Sequence, residues 1–337
     1  MQHKDISALT ALALATTLAL AACGGGGGGG PAPGSNGSTS NSSSSSPASA
    51  PAATTGNVST PQYVAASAQL AMFNQINDYR QQCGFPALTE NTILDQAAQA
   101  HSAYLGLNNL VSDTEDAMKA GYVGATYADR AAHYSFPVNN YTGGESAGGI
   151  YTNATLTADQ YGTKLVNAWI SGVYHLSIVS WPITEVGVGE YQTNANGFPV
   201  AWGSVSFANL QPMTSAGPLT FPCQGVSGVP YADAAGEIPT PPNTSGTWGT
   251  PVTVTGNYGD TIRLQSGTMT DSSGHVITLQ LLDSSNDPNK LLAAFEGVAY
   301  SATALNPNST YSVSLTGTYN GSAFSRSFSF TTGSVAG

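Results

Sequence analysis

Two residues in this sequence have the types and neighbours for chemistry, Glu145 and His175. Glu145 sits in Gly143-Gly-Glu-Ser-Ala-Gly-Gly149, where four glycines around one acid imply a tight backbone path. His175 follows Trp169 and Ser171, and a Gly187-Val-Gly189 opening onto a strand-like run comes after it. A carboxylate that orients an imidazole is half of a nucleophilic hydrolase site. Ser146 and Ser171 lie nearby in motif terms, but serine is frequent throughout the chain. There is no His-Glu-x-x-His run. The expectation is therefore a Glu145–His175 hydrogen bond that braces a cleft, not a catalytic pair.

Several elements must position these two side chains. Thr157-Ala-Asp-Gln160 reads as a capping box. It starts a helix with Leu165, Trp169 and Val173 spaced by four and running toward His175, and Trp181-Pro182 ends that segment. Val186 to Gln192 and Val200 to Phe207 alternate as paired strands, joined by a hairpin at Asn196-Gly197. Upstream, Leu70, Phe73, Ile76 and Tyr79 predict a helix from Pro61 through Arg80. A second helix is expected from Thr92 to Asn108 with Asn91 as N-cap, and a short one over Tyr127 to His133. His101, near the inner stripe of the second helix, reads as a hydrogen-bonded core histidine.

Six pieces together resemble the CAP superfamily, the cysteine-rich secretory, antigen 5 and pathogenesis-related domain (SCP domain), in its bacterial form. They are Phe73-Asn-Gln-Ile-Asn-Asp-Tyr-Arg80, Leu94-Asp-Gln-Ala-Ala-Gln-Ala-His101, Gly144-Glu-Ser146, Trp169-Ile-Ser171, Tyr174-His175 and Glu185-Val-Gly-Val-Gly189. The resemblance spans about 63–210 and implies an α-β-α sandwich, with helices on both faces of a small antiparallel sheet. It also implies a cleft with two histidines and two glutamates, able to hold a divalent metal. Glu145 and His175 match two of those four positions. Where the first histidine is expected the chain reads Leu110-Val-Ser-Asp-Thr-Glu115, with Asp113 the nearest counterpart. The second glutamate would fall near Gly172 and is absent. The cleft candidates are thus Glu145, His175 and Asp113. No cofactor is expected; the metal considered is zinc, on His175 with Asp113 and a water, or with His133 if its helix turned inward.

Beyond the prolines of Glu237-Ile-Pro-Thr-Pro-Pro-Asn243 the pattern is β throughout. Val252–Thr255, Thr261–Gln265, Val276–Leu281, Thr310–Leu315 and Phe324–Phe330 alternate between turn residues and predict a β-sandwich. Leu305-Asn-Pro-Asn-Ser-Thr-Tyr311 resembles the turn before a late strand of fibronectin type III and bacterial immunoglobulin-like modules, with a packed tyrosine pinning two strands. Asp283, Asp287 and Asn289 read as a solvated turn, without the spacing of a calcium loop.

Net charge is −11 with only eight Lys+Arg in 337 residues, which argues against nucleic acid and acidic headgroups as partners. Residues 1–22 form a targeting segment with Lys4 ahead of an Ala/Leu-rich run. Leu20-Ala21-Ala22-Cys23 resembles the bacterial lipobox, implying lipidation of Cys23, a membrane anchor and, with Gly24 following, passage to the outer membrane. Residues 23–60 are Gly/Ser/Pro-rich and read as a disordered tether, with a reach of roughly 30–35 Å. In an oxidising compartment Cys83 and Cys223 form the natural disulfide, closing a long loop worth roughly 4–5 kcal/mol in the loop-entropy account.

The expected fold class is α+β: a tether, then an α-β-α sandwich over 61–226, a linker over 227–245, and an all-β sandwich over 246–337. The expected function is that of a CAP lipoprotein of the cell envelope, outer membrane-anchored or extracellular, binding a lipid, a small apolar ligand or a protein through its cleft. The alternatives are a cell-surface hydrolase using Glu145 and His175, and a structural or adhesive protein with a vestigial cleft.

Overall fold

The computed structural model describes residues 55–337, apart from 152, 154, 216 and 235. The targeting segment, Cys23 and nearly all of the expected tether lie outside the described residues. At the tether's end, Asn57 already forms a bridge with Asn91, and Val58 N–H donates to Glu90.

The first half is a three-layer sandwich. In chain order it contains α1 (Ala68–Gln82), β1 (Thr89–Glu90), α2 (Thr92–Asn108), α3 (Tyr127–His133), β2 (Tyr141–Tyr151), α4 (Ala158–Ser171), α5 (Ser177–Ser180), β3 (Ile183–Ala195) and β4 (Phe198–Leu210). The sheet order is β1-β3-β4-β2, antiparallel except for the short parallel β1–β3 pair. Asn196 and Gly197 both take positive φ in the β3–β4 hairpin, as a type I′ turn requires. Asn91 caps α2 through Ile93 N–H and Leu94 N–H, and Thr157 with Gln160 forms the capping box of α4.

Two expectations change here. The first helix starts at Ala68, because the Ser67 side chain accepts from Leu70 N–H and fixes the N-terminus there. The glycine-rich run around Glu145, expected as a tight backbone path, is the extended strand β2. Its glycines make room for rings: side chains at 144 and 148 would run into Tyr127 and Trp202. Gly187 and Gly189 have a related role on β3. A Cβ at either would overlap the backbone of α2 at Leu94 or Ala98, so the helix lies directly on the strand.

The second half is a β-sandwich. Its elements are β5 (Leu219–Phe221), β6 (Ser227–Val229), β7 (Ala232–Asp233), β8 (Trp248–Gly249), β9 (Val252–Thr255), β10 (Ile262–Asp271), β11 (Val276–Thr278), β12 (Gln280–Asp283), β13 (Glu296–Tyr300), β14 (Thr310–Tyr319) and β15 (Ser322–Thr332). One sheet runs β11-β10-β14-β15-β6 and the other β12-β13-β9-β5. The single strand expected over Val276–Leu281 is split at Leu279, with its halves in different sheets. Tyr311 is buried, and its hydroxyl accepts from Asn306 N–H at 2.8 Å, pinning the turn to the strand.

The boundary between the halves differs from the sequence expectation. β5, on the near side of residue 226, pairs with β9 of the far module. Residues 227–245 are not a free linker: β6 joins β15, and β7 pairs with β8. Cys83 and Cys223 are bonded, with Cα atoms 5.5 Å apart, tying the end of α1 to the segment after β5. One continuous core runs from α1, α4 and α5 through Trp248 into the β-sandwich, taking in Trp169, Phe221, Val254 and Phe330. Each such side chain fully buried contributes about 1.5–3 kcal/mol, so this shared core outweighs any single polar contact across the joint.

Candidate functional site

The glycines of β2 and the turn after α4 bring the candidates to one place. Glu145 lies in mid-β2, opposite Val205 of β4. His175 lies between α4 and α5, and Asp113 in the loop after α2. All three are buried, Glu145 at 2% exposure and His175 at 0%. They are close enough for their charges to act on one another.

The expected Glu145–His175 hydrogen bond is not the one that forms. His175 Nδ1 instead makes a short contact with Glu237, from the segment read as a linker. The same carboxylate accepts Val173 N–H and Tyr174 N–H, each at 2.9 Å. Gly172 makes this possible. A Cβ there would lie 2.8 Å from Glu237 Oε1 and 3.0 Å from His175 Nδ1. The carboxylate that position 172 lacks is thus supplied from 65 residues on in the chain.

Glu145 accepts from the Ser177 hydroxyl in a short contact, while its Oε2 has no partner among the described residues. Burial pushes its carboxyl up to about 8, against the pull of His175 and Ser177. Burial alone would depress His175. The nearby Glu237, Glu145 and Asp113 carboxyls overcome that and raise it to about 9, so the ring is an imidazolium at neutral pH. Asp113 accepts from the Tyr127 hydroxyl at 2.9 Å, and that hydroxyl also contacts Ser146.

The β module roofs the cluster. The Tyr174 hydroxyl donates to Asp287 at 2.9 Å and accepts from Asn289 at 2.8 Å. Trp181 Nε1 donates to Glu296 at 2.6 Å, and Trp248 Nε1 to the Ser171 carbonyl at 2.9 Å. Asp287 also accepts Leu291 N–H and Leu292 N–H, so the turn read as solvated is a buried part of the joint. The void between Glu145, Ser177, Tyr174, Leu291 and Glu296 is about 20 Å³, room for one water.

Chemically this is a braced ion-pair network. Both candidate serine hydroxyls are engaged: Ser146 with Tyr127, and Ser171 with the Ala168 carbonyl and Asp233. Of the donors considered for zinc, His175 Nδ1 faces Glu237, Asp113 Oδ1 accepts from Tyr127, and Glu145 Oε1 accepts from Ser177. His133 is exposed against the Tyr134 ring. His101 is fully buried, with Nδ1 on Glu115 at 2.8 Å and Nε2 on the Ser112 carbonyl at 2.9 Å. Sequence reasoning missed Glu237, Asp233 and Glu296. The available signal was indirect: a missing acid at Gly172 and a lone glutamate ahead of a proline cluster.

A family model, "CAP: Cysteine-rich secretory protein family", matches residues 73–206. No curated protein matches the chain. Among solved structures, an outer surface protein from Borrelia burgdorferi aligns at 14% identity over 42% of this chain and 92% of that chain, with a TM-score of 0.30. The family match takes in the two helices over the sheet, β2 with Glu145, and the turn bearing His175, and residues 73–206 of this chain are a CAP domain.

Proposed function

We propose that this is an extracellular CAP protein in which the CAP cleft is the seat of the C-terminal β module, giving a structural or adhesive protein. The CAP domain and the Cys83–Cys223 disulfide support an extracellular or surface location. One observation carries the reading. Glu145 and His175 are buried beneath Glu237, Leu291 and Glu296, so a substrate or apolar ligand has no path to them. Two features count against a hydrolase, the engaged serines and an imidazole held as a cation that cannot act as a base.

The location is completed from the sequence. Acyl chains on Cys23 would anchor the protein, with 23–60 as the spacer. Mass spectrometry of the mature N-terminus tests this; an unmodified terminus would remove the anchor. The cleft reading is tested by assaying the purified chain for peptidase and esterase activity beside His175→Ala. The expected result is equal background in both and a large loss of melting temperature in the variant. A selective loss of hydrolysis at unchanged melting temperature would restore the hydrolase reading.

A further inference from the structure

Away from the closed cleft, an open groove of about 600 Å³ runs along the outer side of α2. That volume lies in the range of small-molecule sites. We propose that this groove binds an uncharged oligosaccharide.

The walls are aromatic and amide. Tyr63 forms one side. Its orientation is fixed, because its hydroxyl donates to Asp95 at 2.7 Å and its ring packs on Phe73 at 5.5 Å between centroids. Tyr134 lines the groove from the end of α3. Ala100 and Ala103 lie half-buried on the exposed side of α2 and give a floor without side chains to fill it. Four glutamines, Gln62, Gln69, Gln96 and Gln99, line the same space. Gln99 is held rigidly: its amide donates to the Glu190 carbonyl at 2.8 Å and accepts from Glu190 N–H at 3.2 Å. Gln69 donates to Gln99 at 3.3 Å, and the Gln62 side chain makes no hydrogen bond among the described residues.

The chemistry selects among ligands. A primary amide offers two donors and an acceptor, matching sugar hydroxyls, which both donate and accept. The fixed Tyr63 ring suits the C–H face of a pyranose ring and loses little entropy on contact. No Lys, Arg or His lines the groove, and the chain carries a net −11, so anionic glycans, phosphates and nucleic acid are disfavoured. The one acid in the lining, Asp95, is itself neutralised. Burial and the adjoining Glu90 raise its carboxyl to about 8, although Val188 N–H and Tyr63 donate to it. A fatty chain would leave the Gln62 amide unmatched.

The proposal goes beyond the closed-cleft reading, and its test separates the two. The intact chain is titrated with uncharged tetrasaccharides of glucose, xylose, mannose and N-acetylglucosamine, and separately with decanoate, by calorimetry and amide NMR. We expect at least one tetrasaccharide to bind and to shift amides within 62–69 and 95–103. Ala100→Arg fills the floor on a helix-compatible site and should weaken binding at least tenfold. Gln62→Ala, on an exposed residue, should weaken it less, and both variants should melt like the parent. His175→Ala should leave affinity unchanged at temperatures where it stays folded. Failure of every tetrasaccharide to bind, affinity surviving Ala100→Arg in a folded protein, or decanoate alone taking the groove would each overturn the proposal.

Discussion

The CAP domain buries two histidines completely, and each places Nδ1 on a glutamate. Their chemistry is nonetheless opposite. His101 is held down to about 4, and His175 is raised to about 9. Burial depresses both. Around His101 the glutamate is shared: Glu115 also accepts Val123 N–H and lies 3.7 Å from Arg130 Nε, so a cation is already present and a second is disfavoured. Around His175 three acids converge, Glu237, Glu145 and Asp113, and the imidazole is the cation they act on. The first pocket is built within the CAP domain, from residues 14 apart. The second is completed from outside it, by a partner 62 residues away. A buried histidine in the same fold is thus a neutral strut or a charged pin, depending on what else the surroundings supply.

The largest effect should come from removing what completes the second pocket. A chain ended after residue 213 loses β5, Glu237 and the whole far side of the shared core. We expect no cooperative melting transition and strong binding of a hydrophobic dye. A fragment that melts like the parent would show that the CAP half stands alone. Next in size is Glu237→Ala, which takes the short Nδ1 contact from a buried imidazolium and the shared acceptor from two N–H donors. Breaking such a pair costs about 3–5 kcal/mol, or roughly 10 °C in melting temperature for a unit of this size. Adding Gly172→Glu to that variant should recover part of the loss, since the new side chain would start 2.8 Å from where the old Oε1 lay. By contrast, Tyr127→Phe removes one neutral donor to Asp113 and should cost only about 1 kcal/mol.

The two pockets also predict opposite responses to pH. Glu145, at about 8, and Asp233 and Glu296, at about 7, have folded values above their unfolded ones. So does His175, at about 9. Each contributes stability that is full below its unfolded value and is lost as pH rises through the folded one. The joint should therefore weaken between about pH 5 and 9. His101, lowered to about 4, acts the other way: its contribution is present above about 6.5 and lost as pH falls through 4. Calorimetric scans should give a melting temperature highest near pH 5 and lower by several degrees at pH 9. Melting that rises steadily from pH 5 to 9 would contradict the assignment of the acids to the joint.

Much of the first half was legible because its signals are local. Caps at Asn91 and Thr157, the Asn196-Gly197 turn and the Tyr127–His133 helix are set by neighbours within a few residues. The glycines around Glu145 signalled a tight backbone path but not a strand, because close packing against Tyr127 and Trp202 and a sharp bend both call for a missing Cβ. The linker was misread for a similar reason. Proline-rich composition reports local stiffness and says nothing of Glu237 reaching a vacancy at Gly172. That contact depends on two segments meeting in space, which no periodicity encodes. Likewise, Val276–Leu281 alternates as one strand, but the pattern is indifferent to which sheet each half joins.

The most direct test is an imidazole NMR titration of the intact chain, with nitrogen shifts followed for both buried histidines. The account predicts that His175 stays protonated from pH 6 to about 9 with a strongly bonded Nδ1–H that vanishes in Glu237→Gln, while His101 stays neutral down to about pH 4 in both proteins. A His175 ring that titrates near the ordinary value and exchanges freely with water, unaffected by Glu237→Gln, would mean that the cleft is open and that the β module does not seal it.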